Sequence, residues 1–145
     1  MREILFKAKR VDNGEWIEES LIDLDIDSGY CYIVPPYKKA SILPINFLIT
    51  DRMKLVDPKT LCQFTGLYDK NGKKIWENDI FQYTDETMVT KKDLIEYNET
   101  HASFVRLCNT EKLGLQYLWI DEATCNHGEV IGNIFDNKEL LQEES

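Results

Sequence analysis

The sequence holds no C-x-x-C pair, no G-x-x-x-x-G-K-[ST], no G-x-G-x-x-G and no run near the ~18 apolar residues of a membrane helix. These absences remove the usual zinc or redox signature, nucleotide binding and a transmembrane helix from the expected chemistry. Imidazoles are scarce: His101 and His127 only. The four cysteines, Cys31, Cys62, Cys108 and Cys125, are widely spaced. The opening M-R-E-I-L-F-K-A-K-R brings acid and base too early for a signal peptide. The expectation is a cytosolic protein with reduced thiols, no cofactor, no metal and no membrane partner.

Bases are outnumbered. Lys and Arg total 17 against 26 Asp and Glu, so the formal net charge is -9 and the pI about 4.7. Such a balance repels nucleic-acid phosphates at long range. Small basic clusters remain at Lys7/Lys9/Arg10, Lys70/Lys73/Lys74 and Lys91/Lys92, and solvated surface explains each of them. The 145 residues are 43% hydrophobic, 30% charged and 11% aromatic. A chain of this size buries roughly two-thirds of its unfolded surface and folds without staples.

Ile4, Phe6 and Ala8 alternate with Glu3, Lys7 and Lys9, and Asp12-Asn13-Gly14 follows before Trp16 and Ile17. This pattern predicts an opening β-hairpin. In L-I-D-L-D-I-D-S-G-Y, from Leu21, the acids Asp23, Asp25 and Asp27 stand at the first calcium-loop positions. The template then wants Gly and Glu where Ser28 and Val34 stand, so an amphipathic strand ending at Ser28-Gly29 is the better reading. A short strand, Tyr30 to Val34, must stop at Pro35-Pro36. Residues 37–57 read as loop with one or two short strands, and a boundary is placed in 50–57. The domain expectation is a β-rich region over 1–57 and a second domain over 58–145.

The densest turn chemistry lies in P-K-T-L-C-Q-F-T-G-L-Y-D-K-N-G-K-K-I-W-E-N-D-I, Pro58 to Ile80. Asn71-Gly72 suits a type I′ turn. Beyond it, strands are predicted from Asp79 to Tyr83, Val89 to Tyr97, Ala102 to Cys108, Leu113 to Ile120 and Glu129 to Phe135. Gly132 inside the last one marks a bulge or close packing. Asp136 or Asn137 can cap a short C-terminal helix. Five short strands with Gly and Asn turns suggest a small barrel or sandwich, so the fold class expected is mainly β, with an SH3-like small barrel and a short terminal helix.

The run Q-F-T-G-L-Y-D-K-N-G-K-K-I-W-E-N-D-I resembles the signature of YopX-like phage and prophage proteins, approximately Q-[FY]-T-G-[LF]-x-D-x-x-G-x-x-I-[FYW]-E-G-D-[IV]. The opening R-E-I-L-F-K-A-K-R-V-D-N-G-E-W-I-E and the closing V-I-G-N-I-F-D-N-K-E-L-L are similar to the family's two ends. Asn78 stands where the family usually has Gly, and Lys138 where Pro is common. The resemblance implies a mostly β protein of Gram-positive phages or prophages, with an SH3-like barrel, able to oligomerise. It carries no catalytic residues.

The motif residues Gln63, Thr65, Gly66, Asp69, Gly72, Glu77, Asp79, Gly132 and Asn133 are read as structural, with carboxylates bracing tight turns. Glu77 and Asp79 would face one side if both lay in a strand, which could divide acid and base roles. Cys125-Asn126-His127 is the nearest Cys-His pair, and a polar loop explains it without chemistry. Trp16, Trp76 and Trp119 are assigned to the core; an exposed one would instead mark a groove or an interface anchor. The expected function is a non-enzymatic, host-cytoplasmic accessory protein that binds a host or phage protein as a homo-oligomer. The alternative is a nucleic-acid-binding or DNA-mimicking regulator, which the net charge disfavours.

Overall fold

The computed structural model describes residues 2–25, 29–34, 53–110 and 112–141. The described chain is mainly β and every strand pairing is antiparallel. It forms two compact units, Met1–Gln63 and Phe64–Ser145.

In the first unit, β1 (Phe6–Lys9) pairs with β2 (Trp16–Glu19) through the expected hairpin. Gly14 takes the left-handed φ of +71° at the turn, and Asn13 instead uses its side chain to accept the Glu15 N–H at 2.9 Å. β3 (Leu21–Asp25), β4 (Tyr30–Val34) and β5 (Lys54–Val56) form a second sheet in the order β3-β4-β5. The acidic stretch is therefore strand as far as Asp25, whereas Asp27 and Ser28 lie outside the described residues, as do residues 35–52. Ala8, Cys31, Ile33 and Val56 form this unit's core, with Ile17, Ile22 and Leu61 packed against it.

β6 (Cys62–Tyr68) gives its first two residues to the partners of β1 and its remainder to β7 (Lys74–Trp76). β8 (Asp79–Thr84), β9 (Thr90–Asn98), β10 (Ser103–Thr110) and β11 (Gly114–Trp119) then run as a meander. A one-turn helix, Glu122–Cys125, leads into β12 (Gly128–Asn133), which returns to pair with β8. The sheet order is β11-β10-β9-β8-β12, with five strands where five were expected. Among the described residues no ladder joins β11 to β12, so both are edges. Ile75, Phe81, Ile95, Cys125 and Val130 form the core, because Phe81, Ile95 and Val130 project from one face of the sheet.

The C-terminal helix is a single 3-10 turn over its described length, Lys138–Leu141. The expected cap has another task. The Asn137 side chain turns back and accepts the Asn133 N–H at 3.2 Å, bracing β12.

Candidate functional site

Two places gather unusual chemistry in the second unit: the β6–β8 corner and the outer edge of the five-stranded sheet.

At the corner, the turn after β6 is led by Asp69. Its Oδ1 accepts the N–H groups of Asn71 and Lys73, each at 2.9 Å, and its Oδ2 accepts the Val130 N–H at 2.9 Å. This buried carboxylate satisfies three backbone donors, of which the Val130 N–H is buried and would otherwise be left without a partner. Its claim on Asn71 explains why the turn is not type I′. Only Gly72 adopts a left-handed φ, +77°, and Asn71 does not. Thr65 Oγ1 donates to the Ile75 carbonyl at 2.7 Å and accepts from Leu67 N–H at 3.2 Å. That bond spans a break in the β6–β7 register, where Gly66 sits at φ +89°.

Glu77 and Asp79 do not share a strand face. A turn at Glu77-Asn78 separates β7 from β8, with Asn78 at φ +70°. Asp79 is buried and its Oδ2 accepts the Trp76 N–H at 2.8 Å, while Glu77 is half-buried. Gly132 lies directly against the Asn137 side chain. Asn133 Oδ1 accepts from the N–H groups of Phe135 and Asp136, both at 2.9 Å. Gln63 faces Phe6 in the β1–β6 pairing, in the first unit. The motif thus resolves into two turns with their braces, and its buried carboxylates point at backbone amides.

Cys125 and His127 point apart. Cys125 lies in the core rather than in a polar loop, and burial pushes its thiol up to about 11, while His127 is exposed. Asp121 caps the intervening helix by accepting the Thr124 N–H at 2.8 Å. Among the described residues no three His, Cys, Asp or Glu side chains gather as a metal site would require.

Asp93 is a buried acid that the sequence reading did not single out, only 1% exposed on β9. Its Oδ2 meets Arg106 Nη1 at 2.9 Å, and Arg106 Nε donates to the Trp119 carbonyl at 3.1 Å. The guanidinium also lies 5.2 Å from the Tyr83 ring centroid. Asp93 Oδ1 has no hydrogen-bond partner among the described residues. Burial raises the Asp93 carboxyl above its ordinary range, opposed by Arg106. Its signal in the sequence was an acid at an inward position of an otherwise alternating strand.

The sheet's outer edge departs most from expectation. Trp76 is in the core and Trp16 is half-buried beneath Lys7 and Lys9, at 4.6 and 5.5 Å from its ring centroid. Trp119 is not core: it is 70% exposed. It projects from edge strand β11 on the same face as Tyr117 (56% exposed) and Leu115 (67%), and Leu113, just before the strand, is 71% exposed. The His101 ring stands edge-on to Trp119 at 6.3 Å. The run from Leu113 to Ile120 has no charged residue in a chain that is 30% charged.

The family model for the YopX protein matches residues 5–142. The chain belongs to the YopX protein family. The fold of this YopX-family chain is similar to that of the crystal structure of protein EF1440 from Enterococcus faecalis. The TM-score is 0.51 at 20% identity, and the match covers 97% of this chain and 99% of that one. No curated protein matches the chain. In this YopX-family chain the signature forms the corner, and the apolar edge on β11 lies outside it.

Among the described residues no helix is long and apolar enough to cross a membrane.

Proposed function

We propose that this YopX-family chain is a phage or prophage accessory protein that works in the host cytoplasm by binding and not by catalysis, as a homo-oligomer that engages a host or phage protein. The observation that carries this reading is the row Leu113, Leu115, Tyr117 and Trp119. Large apolar side chains left in water on an edge strand cost solvation that a covering protein surface recovers. Tyr and Trp are the residue types that anchor protein interfaces.

The motif carboxylates favour the same reading. Asp69 accepts three backbone amides and Asp79 accepts that of Trp76, which suits turn bracing better than proton transfer. The net charge of -9 favours a partner with a basic surface and speeds its encounter with the chain.

The test has two arms. Light scattering across a wide concentration range reads the mass, and immobilised protein is challenged with bacterial lysate at low and moderate salt. The reading expects more than one copy per particle and a specific captured protein that salt releases. A single-copy particle throughout, together with no specific capture at either salt, would sink it.

A further inference from the structure

We infer that the Asn13-Gly14 turn is a site of self-modification, in which the Gly14 backbone nitrogen attacks the Asn13 side-chain amide and the turn ends as aspartate or isoaspartate. The second Asn-Gly pair of the chain, Asn71-Gly72, is held back by the fold.

The step needs only water. Gly14 N gives its proton to solvent base and bonds to Asn13 Cγ. The Cγ–Nδ2 bond breaks, and the nitrogen takes up a proton and leaves as ammonia. Water then opens the five-membered imide at one of its two carbonyls. Opening at Cγ gives aspartate. Opening at the backbone carbonyl gives isoaspartate, with an additional carbon in the main chain. Asparagine and water have become aspartate and ammonia, with no change of oxidation state. Glycine favours the attack because no side chain shields its nitrogen.

Three features are common to both pairs and do not choose between them. In each, Gly follows Asn and both residues are exposed to water. Each glycine N–H is held by a backbone carbonyl, Gly14 by that of Arg10 at 2.9 Å and Gly72 by that of Asp69 at 3.0 Å. Each asparagine Nδ2 donates to a glutamate, Asn13 to Glu15 at 3.3 Å and Asn71 to Glu129 at 3.2 Å.

The difference lies in the amide two residues on. Glu15 N–H donates to Asn13 Oδ1 at 2.9 Å. Negative charge gathers on Oδ1 as nitrogen adds to Cγ, so this donor is already in place to stabilise the addition. In the second pair the corresponding donor is Lys73 N–H, and Asp69 Oδ1 takes it at 2.9 Å. The same carboxylate accepts the Asn71 N–H, which sets a negative charge beside the place where another would form. Its bond to the Val130 N–H ties the Asn71-Gly72 turn to β12, against the distortion that ring closure demands. Beside Asn13, by contrast, Asp12 is ion-paired with Arg10. The product adds a charge between Asp12 and Glu15 and, as isoaspartate, lengthens the turn that joins β1 to β2.

The experiment incubates the purified chain at mildly alkaline pH, folded and in urea beyond the unfolding midpoint. Peptide maps follow positions 13 and 71 by mass and separate aspartate from isoaspartate. In the folded chain Asn13 should convert about tenfold faster than Asn71, less than a water-excluded oxyanion donor supplies because this turn is exposed. In urea the two should convert at similar rates. An Asn71 that keeps pace with Asn13 in the folded chain overturns the inference. So does a preference for Asn13 that is equally large in urea, since it then belongs to local sequence and not to the turn. Conversion of neither residue in the folded chain, with both converting in urea, overturns it as well.

Asn13→Ser isolates the reactive amide. It keeps a side-chain oxygen for the Glu15 N–H, and the folded variant should lose the fast phase of mass gain. A fast phase that persists in Asn13→Ser places the reaction elsewhere and overturns the assignment.

Discussion

Asp69 and Val130 stand 61 positions apart in sequence and are joined by a 2.9 Å hydrogen bond from the Val130 N–H to Asp69 Oδ2. The same carboxylate accepts from Asn71 and Lys73, so one side chain ties the hairpin tip to the returning strand β12. Removing it orphans the buried Val130 N–H, at about 1–3 kcal/mol, and breaks two charge-assisted bonds to the part-buried N–H groups of Asn71 and Lys73. Asp69→Ala should therefore lose about 3 kcal/mol or more in urea unfolding. Asp69→Asn should also be destabilised, because its amide N–H₂ must face at least one backbone N–H. An Asp69→Ala protein as stable as the parent would show that the corner does not depend on this brace.

The left-handed turns make a second prediction. Asn78 has φ +70° and Gly72 has φ +77°, and a Cβ at Gly72 meets nothing within 4 Å. Substitutions at Gly72 therefore act through backbone conformation and not through collision. Asn78→Gly should be nearly neutral, because Gly takes a positive φ without steric cost. Gly72→Ala and Asn78→Ala should each cost about 1 kcal/mol, with Val worse than Ala. Equal stability of the Gly and Val variants at position 78, read from chemical denaturation midpoints, would count against the turn's strain.

Close approach predicts a contrast between two other glycines. A Cβ on Gly128 would lie 2.6 Å from Phe81 Cε1 and 2.7 Å from the Gln82 carbonyl oxygen, in the core and against backbone. On Gly132 it would lie 2.6 Å from Asn137 Cγ and 2.8 Å from Asn137 Cβ, so the Asn137 side chain must leave its place and its backbone must also shift. Gly128→Ala should cost about 3 kcal/mol, at the upper range for overpacking. Gly132→Ala should cost about 2 kcal/mol, roughly 1 from the Asn133–Asn137 hydrogen bond it displaces and the rest from shifting the half-buried Asn137 backbone, which lies outside the core. Thermal melts of the two variants read the order directly.

Much of the second unit was legible in the sequence because period-two runs end at strong turn residues. The predicted span from Asp79 to Tyr83 is β8 less its last residue, and the run from Leu113 to Ile120 is β11 with one extra residue at each end. The misreadings come from tertiary context, which local pattern does not encode. Asn71-Gly72 has type I′ composition, yet the Asp69 carboxylate captures the Asn71 N–H and gives a different turn. Trp119 alternates as a core residue does, but β11 is an edge strand of the described sheet, and there Trp119 stays 70% exposed with only the His101 ring described edge-on to it. Asn137 has a cap's identity and spends its side chain on Asn133 instead. Cys125 follows a polar helix start and still turns inward, since one turn from the Asp121 cap brings it beneath the sheet.

The pair Asp93–Arg106 yields a prediction with a pH signature. Burial raises the folded-state pKa of Asp93 above the unfolded value of about 3.9. Between those values the folded state binds the additional proton, so this group favours folding at low pH. That contribution is lost as pH rises through the folded pKa. Arg106 opposes the rise by stabilising the carboxylate across 2.9 Å. Arg106→Leu removes this opposition and leaves a buried charge alone, so it should cost about 3–5 kcal/mol near neutrality. The loss should shrink as the pH approaches the ordinary carboxylate range, where Asp93 is protonated in both proteins. Asp93→Leu/Arg106→Leu removes both charges and should recover most of the stability with a flatter pH profile. Urea midpoints of the three proteins at neutral and acid pH decide the matter. A single-variant loss that is the same at both would mean that Arg106 acts through packing on Tyr83 and its bond to the Trp119 carbonyl, and not through the charge of Asp93.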